Sequence, residues 1–184
     1  MDFKIPKLFF SDSDKKPFRQ CKVCEIDLSE GKVPYSIEKA YKRTPEGEDI
    51  TLFEIAICMP CAEKQSQKMS QESQQFLQKT MMNKDFMKRR MKLWDNWRED
   101  WNKKCLFSEK TPDINDEYHV VGHFRGNQVI EQQSPFLIGP EMIEHIQENL
   151  SAETKEEMDD FGRTFLGPDP TIAKILEEGK FVMV

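Results

Sequence analysis

The stretch AICMPCAEK, residues 56–64, sets two cysteines three apart at the seam between an apolar, strand-like run and a charged, helix-like run. A Cys-x-x-Cys pair is half of a metal site or a redox couple, and the rest of the chain decides between them. A second pair, Cys21-Lys-Val-Cys24, stands 33 residues upstream. Together the pairs supply four thiolates, the set that tetrahedral Zn²⁺ accepts. A redox couple needs only one pair and a βαβ setting, and the flanking segments do not read that way. The expected ligands are Cys21, Cys24, Cys58 and Cys61 around one structural Zn²⁺, with no position left open for water or substrate.

The gap between the pairs reads as a hairpin. VPYSIEKAYKR (33–43) alternates through Tyr35 and Ile37 with Tyr41 further on, TPEGED (44–49) turns, and ITLFEIAIC (50–58) returns. Pro60 then falls near the first helical position, where backbone N–H groups point at the thiolates and stabilise their charge. A cysteine knuckle, a hairpin and a helix whose first turn carries the last two ligands resembles the treble-clef zinc finger over about residues 18–80. The resemblance implies the metal and a local fold. It implies no single function, because treble clefs serve nucleases, nucleic-acid binders, ubiquitin-pathway modules and purely structural elements.

The chain also echoes itself. CKVCEIDLSEGKVPYSIEKAYKR (21–43) lies over CLFSEKTPDINDEYHVVGHFRG (105–126), with Cys21 on Cys105 and, after a one-residue gap, Tyr35 on Tyr118, Ile37 on Val120, Tyr41 on Phe124 and Lys42 on Arg125. The tails IAICMPCAEKQSQKMS (55–70) and FLIGPEMIEHIQENLS (136–151) match without a gap. In this overlay Cys24 becomes Ser108, Cys58 becomes Gly139 and Cys61 becomes Met142, so one ligand survives. Residues 105–151 are therefore expected to be a second copy in which apolar packing by Phe136, Leu137, Ile138, Met142, Ile143 and Ile146 replaces the metal. His119 and His123 sit four apart on a strand-like run, ~13 Å from each other, too far to share an ion. No second metal is expected there, and His145 is expected to be solvated.

From Ala62 to about Lys104 there is no Pro or Gly, and Glu, Gln, Lys, Met, Ser and Arg dominate, which predicts a long helix with a break at Asn83-Lys84-Asp85. Met87, Met91, Trp94, Trp97 or Arg98, and Trp101 recur three and four apart, the spacing of a buried stripe. Residues 84–104 carry eight basic and four acidic side chains, against six and sixteen in residues 105–184, so a basic island precedes an acidic half. Lys88, Arg89, Arg90 and Lys92, with Trp94, Trp97 and Trp101, are the candidate interaction surface for a protein or a nucleic acid. Further on, Ser151 and Thr154-x-x-Glu157 announce a helix, TIAKILEEG (171–179) reads as a short one stopped by Gly179, and the apolar ends FKIPKLFF and KFVMV are expected to pack on the body.

With 33% charged residues, a net charge of −6 and a mean hydropathy of −0.71, no apolar run approaches the ~20 residues of a membrane span. The start lacks an uninterrupted apolar core and a cleavage site, so the chain reads as cytoplasmic. There is no Gly-rich phosphate loop, no His-Glu-x-x-His and no nucleophile elbow, hence no evident small-molecule substrate. Resemblance to the treble clef raises the HNH-type nuclease, which implies a His at the end of the first hairpin strand. Here Lys39, Ala40 and Tyr41 occupy that region, and the helix after Cys61 offers Glu63 and Gln65 without a His.

The sequence thus predicts an α+β chain: an N-terminal arm (1–17), a treble-clef-like four-cysteine zinc module (18–65), a long, broken linker helix (66–104), a metal-free copy of the module (105–151), and C-terminal helices and tail (152–184). The functional expectation is a non-catalytic, zinc-stabilised interaction or adaptor protein. The alternatives are a nucleic-acid-binding regulator using residues 84–98 and a degenerate HNH-like nuclease.

Overall fold

In the computed structural model, which describes residues 3–166 and Met183 and over residues 96–100 the backbone alone, the chain is mixed α and β. The first hairpin forms as its alternation requires. Strand β1 (Pro34–Arg43) pairs antiparallel with β2 (Asp49–Cys58), from Tyr35 opposite Cys58 to Arg43 opposite Asp49, with an irregularity at Ala40/Tyr41. Gly47 supplies the positive φ of +82° that the connecting turn needs, and Thr44 N donates to Glu48 O across it at 2.7 Å.

Helix α1 (Met59–Ser66) leaves β2 directly, with Cys58 as its N-cap and Pro60 in its first turn. The long helix expected after Cys61 is three helices: α1, α2 (Gln71–Met81) and α3 (Lys84–Asp100). The break at Asn83 falls where capping chemistry puts it, the Asn83 side chain accepting from Asp85 N at 2.8 Å. The earlier break, at residues 67–70, depends on a tertiary partner. Ser70 caps α2 by accepting from Ser73 N, Ser151 caps helix α5 (Ala152–Phe165) by accepting from Thr154 N, and the two starts bond each other. Ser70 N donates to Thr154 Oγ1 and Ser151 N to Ser73 Oγ, both at 2.9 Å.

The strands of residues 105–151 do not form a separate sheet. Strand β3 (Glu117–Arg125) pairs antiparallel with β1 over nine residues, Tyr35 opposite Phe124 and Tyr41 opposite Tyr118. On its other side β3 pairs with β4 (Gln128–Val129) and β5 (Phe136–Ile138), and helix α4 (Pro140–Asn149) follows β5. One five-stranded antiparallel sheet, β2-β1-β3-β4 with β5 also on β3, therefore joins the two segments. Burial on both faces explains it, since Ile37, Ala40, Val120 and Val121 are all at most 2% exposed.

The N-terminal arm covers one face. Phe9, fully buried, packs against Phe124 and stacks on Trp101 at 5.2 Å. Lys39, 1% exposed, gives its Nζ to Phe10 O at 2.9 Å and to Asp12 and Glu54 at 3.0 Å, so its buried charge is paired and hydrogen-bonded. Helices cover the other face, where Phe86 of α3 meets Phe136 and Phe107, and Glu38 meets His119 at 2.7 Å.

Helix α3 turns a different stripe inward from the one its methionines suggest. Met87 and Met91 are 44% and 60% exposed, whereas Phe86, Arg89, Arg90, Leu93 and Trp94 face the body. Two arginines go in because carbonyl oxygens await them: Arg89 donates to Leu106 O and Phe107 O, and Arg90 to Ser134 O. The short helix expected at residues 171–179 lies outside the described residues. No described helix is long and apolar enough to cross a membrane.

Candidate functional site

Four side chains meet where the knuckle of residues 21–24 touches the end of β2 and the first turn of α1. The Sγ atoms of Cys21, Cys24, Cys58 and Cys61 all lie within 4.8 Å of one another, with Cys24 and Cys58 at 3.7 Å. A tetrahedral ion with metal–sulfur bonds of ~2.3 Å has sulfur–sulfur edges of ~3.8 Å, so the donor set fits a four-coordinate metal. Cys21, Cys58 and Cys61 are buried, Cys24 is exposed, and none is in a disulfide.

The knuckle is held by its own backbone. Cys21 N donates to Ile26 O at 3.0 Å, Glu25 N to Cys21 O at 2.9 Å, and Lys22 N to Ala56 O on β2 at 2.9 Å, while Glu25 takes a left-handed φ of 60°. Two further N–H groups, Val23 at 3.4 Å and Cys58 at 3.3 Å, donate to the Cys21 sulfur. Burial opposes ionisation of Cys21, but N–H groups of Cys58, Cys24 and Val23 outweigh it and hold that thiol below its usual value. Burial pushes Cys58 up, and burial with the neighbouring Cys24 and Cys58 thiols drives Cys61 well above the thiol range. Four thiols in one cluster, three of them buried, cannot all ionise unaided; a cation among them would reverse the balance.

The same backbone pattern recurs at residues 105–110, without the ligands. Cys105 N donates to Lys110 O at 2.8 Å, Glu109 N to Cys105 O at 2.9 Å and Leu106 N to Leu137 O at 2.9 Å, and Glu109 again has φ 60°. Gly139 stands where the overlay sets Cys58, and a Cβ on it would lie 3.2 Å from Cys105 Cβ, so the thiol of Cys105 packs into the space a second side chain would take.

The candidate interaction surface does not gather into one patch. Lys88 and Lys92 are exposed, whereas Arg89 and Arg90 are drawn inward. Arg90 Nη2 lies 2.9 Å from His123 Nδ1, and its guanidinium rests over the Phe136 ring. Burial brings Arg90 down to about 10. Burial, reinforced by the Arg90 charge, takes His123 to about 3, so His123 is a neutral acceptor for the arginine. Trp94 stacks on Phe3 at 5.0 Å and Trp101 on Phe9, and the side chain of Trp97 lies outside the described residues. Of the other histidines, His119 is buried against Glu38 and Phe53, and exposed His145 touches Phe76.

Sequence reasoning missed the buried Lys39–Asp12–Glu54 and Glu38–His119 groups, and only the odd placement of charged residues inside apolar strands signalled them. No family model, curated protein or solved structure matches the chain.

Proposed function

We propose that the protein is a non-catalytic interaction protein of two related halves, one of them stabilised by Zn²⁺, which meets a partner protein through the outer face of α3. The observation that carries the partner reading is the exposed pair Met87 and Met91, 44% and 60% accessible and one turn apart on α3, with exposed Met82 just before the helix and the exposed Lys84, Lys88 and Lys92 beside them. Methionine adapts to varied apolar surfaces, and lysines beside it select an acidic rim on the partner. Four converging thiolates favour Zn²⁺ over harder cations, and a full protein ligand set makes the ion structural. Five free thiols suit a reducing compartment, which supports cytoplasmic placement.

Three observations support a metal-free second half. The knuckle hydrogen bonds recur at residues 105–110. The overlay carries Tyr35 to Tyr118 and Tyr41 to Phe124, and β1 and β3 pair Tyr35 with Phe124 and Tyr41 with Tyr118, as a local two-fold axis through Glu38 and Val121 requires. Continued past residue 70, the overlay carries Ser70 to Ser151 and Ser73 to Thr154, whose reciprocal caps exchange under the same axis. On this reading α5 is the counterpart of α2, and the second copy runs to about residue 165.

A nucleic-acid reading is weakened because Arg89 and Arg90 already serve carbonyl groups inside the molecule. The test compares wild type with Met87→Glu/Met91→Glu in affinity purification from the native host. The proposal expects a protein that binds directly and is lost from the variant while metal content and melting temperature stay unchanged. Retention of that protein by the variant overturns it. Recovery of nucleic acid released by rising salt replaces it with the other reading.

A further inference from the structure

We propose a ligand site in the first half: a cavity of about 180 Å³ between β1, β2, α1 and α2 that takes a short aliphatic molecule with one uncharged hydrogen-bonding head, an alcohol or an amide. Ile55, Ile57 and Leu77 form its walls, and Ser36, Glu38 and Gln65 give it a polar end. The volume suits a small molecule, since a cavity of about 150 Å³ lined by apolar side chains admits benzene.

Gln65 is the pointer. It is 7% exposed, lines the cavity, and its side-chain amide has no hydrogen-bond partner among the described residues. Its polar atoms keep contact with solvent, so a head group entering the cavity can pair with them in place of water on an otherwise apolar wall. An amide or hydroxyl head both donates and accepts, as the Gln65 amide and the Ser36 hydroxyl do. A carboxylate head would face Glu38, whose Oε1 lies 2.7 Å from His119 Nδ1.

The other half shows how the same place is closed. The overlay sets Ile143 on Ala62, Ile146 on Gln65 and Phe136 on Ile55, and these three residues are 8%, 0% and 2% exposed. Alanine, glutamine and isoleucine stand in the first half where the second packs two isoleucines and a phenylalanine, so the first half has less apolar bulk there. Met183 also lines the cavity.

The test is titration of the full-length, metal-loaded chain with 1-hexanol, hexanamide and hexanoate, read by methyl and Gln65 side-chain NMR shifts and by calorimetry. Saturable binding of the first two, at least about tenfold tighter than hexanoate, is expected. Gln65→Ile should weaken it by about tenfold, one hydrogen bond's worth. Ala62→Ile/Gln65→Ile should abolish it and raise the melting temperature by filling the space. Equal binding of hexanoate, unchanged binding by a folded double variant, or no saturable binding by wild type overturns the proposal. So does binding that appears only after removal of residues 181–184, which would make the chain's own end the occupant.

Discussion

The knuckles at residues 21–26 and 105–110 share three backbone hydrogen bonds and a left-handed glutamate, yet only the first presents four sulfur atoms. Around Cys105 the matching places hold Ser108, Gly139 and Met142. The backbone course therefore does not require a metal; it requires something that ties the knuckle to the strand end and to the helix after it. In the first half the proposed ion ties them. In the second, Cys105 packs on Gly139, and Met142, Ile143 and Ile146 bury α4 against the sheet. On the proposed reading, metal ligation and apolar packing are interchangeable ways of holding one small supersecondary unit, provided the core nearby is large enough.

The largest effect expected from this comparison is on the four-cysteine half. Cys58→Ser or Cys61→Ser should remove the ion and with it folding free energy on the order of 10 kcal/mol, seen as loss of zinc and a collapsed melting transition. Cys105→Ser should cost only about 1–3 kcal/mol, the penalty of a hydroxyl in an apolar niche. Equal damage at Cys58 and Cys105 would break the comparison.

A sharper experiment rebuilds the missing ligands. Ser108→Cys/Gly139→Cys/Met142→Cys, joined to the native Cys105, should raise the bound zinc from one to two per chain by elemental analysis. The Cβ added at residue 139 lies 3.2 Å from Cys105 Cβ, so a shift of a few tenths of an ångström must accompany it. A folded triple variant that still binds one ion would show that the second knuckle is a likeness of backbone only.

The smallest effect concerns His123, which the overlay superposes on Ala40. Its folded-state value of about 3 lies below the ordinary 6.5, so the unfolded chain takes up the proton first as pH falls. Its contribution is fully present above about pH 6.5 and is lost as pH drops toward about 3. His123→Ala should flatten the difference in melting temperature between pH 7 and pH 5 relative to wild type, and an unchanged slope would place the acid sensitivity elsewhere.

Much of the first half could be read from the chain, because its signals are local. Two Cys-x-x-Cys pairs name a donor set, alternation from Tyr35 to Tyr41 names a strand, and Pro60 after Cys58 starts a helix. Asn83 marks a helix break by the same kind of short-range hydrogen bond. The orientation of α3 was not legible, since its spacing points Met87 and Met91 inward while Arg89 and Arg90 actually enter. Arginine is buried only where carbonyl oxygens converge, and those of Leu106, Phe107 and Ser134 come from distant sequence. The helix break before Ser70 likewise depends on hydroxyls of Ser151 and Thr154.

By itself, then, the sequence determined the local units: a donor set, a hairpin, helix starts and an echo between two segments. Tertiary structure decided that the echoing strands become neighbours in one sheet, that the N-terminal arm lies across it, and that a cavity stays open between β1, β2, α1 and α2. The division has a physical basis. Turns, caps and ligand spacing act over a few residues, whereas partners for buried faces and buried charges are fixed only when distant segments compete for the same space.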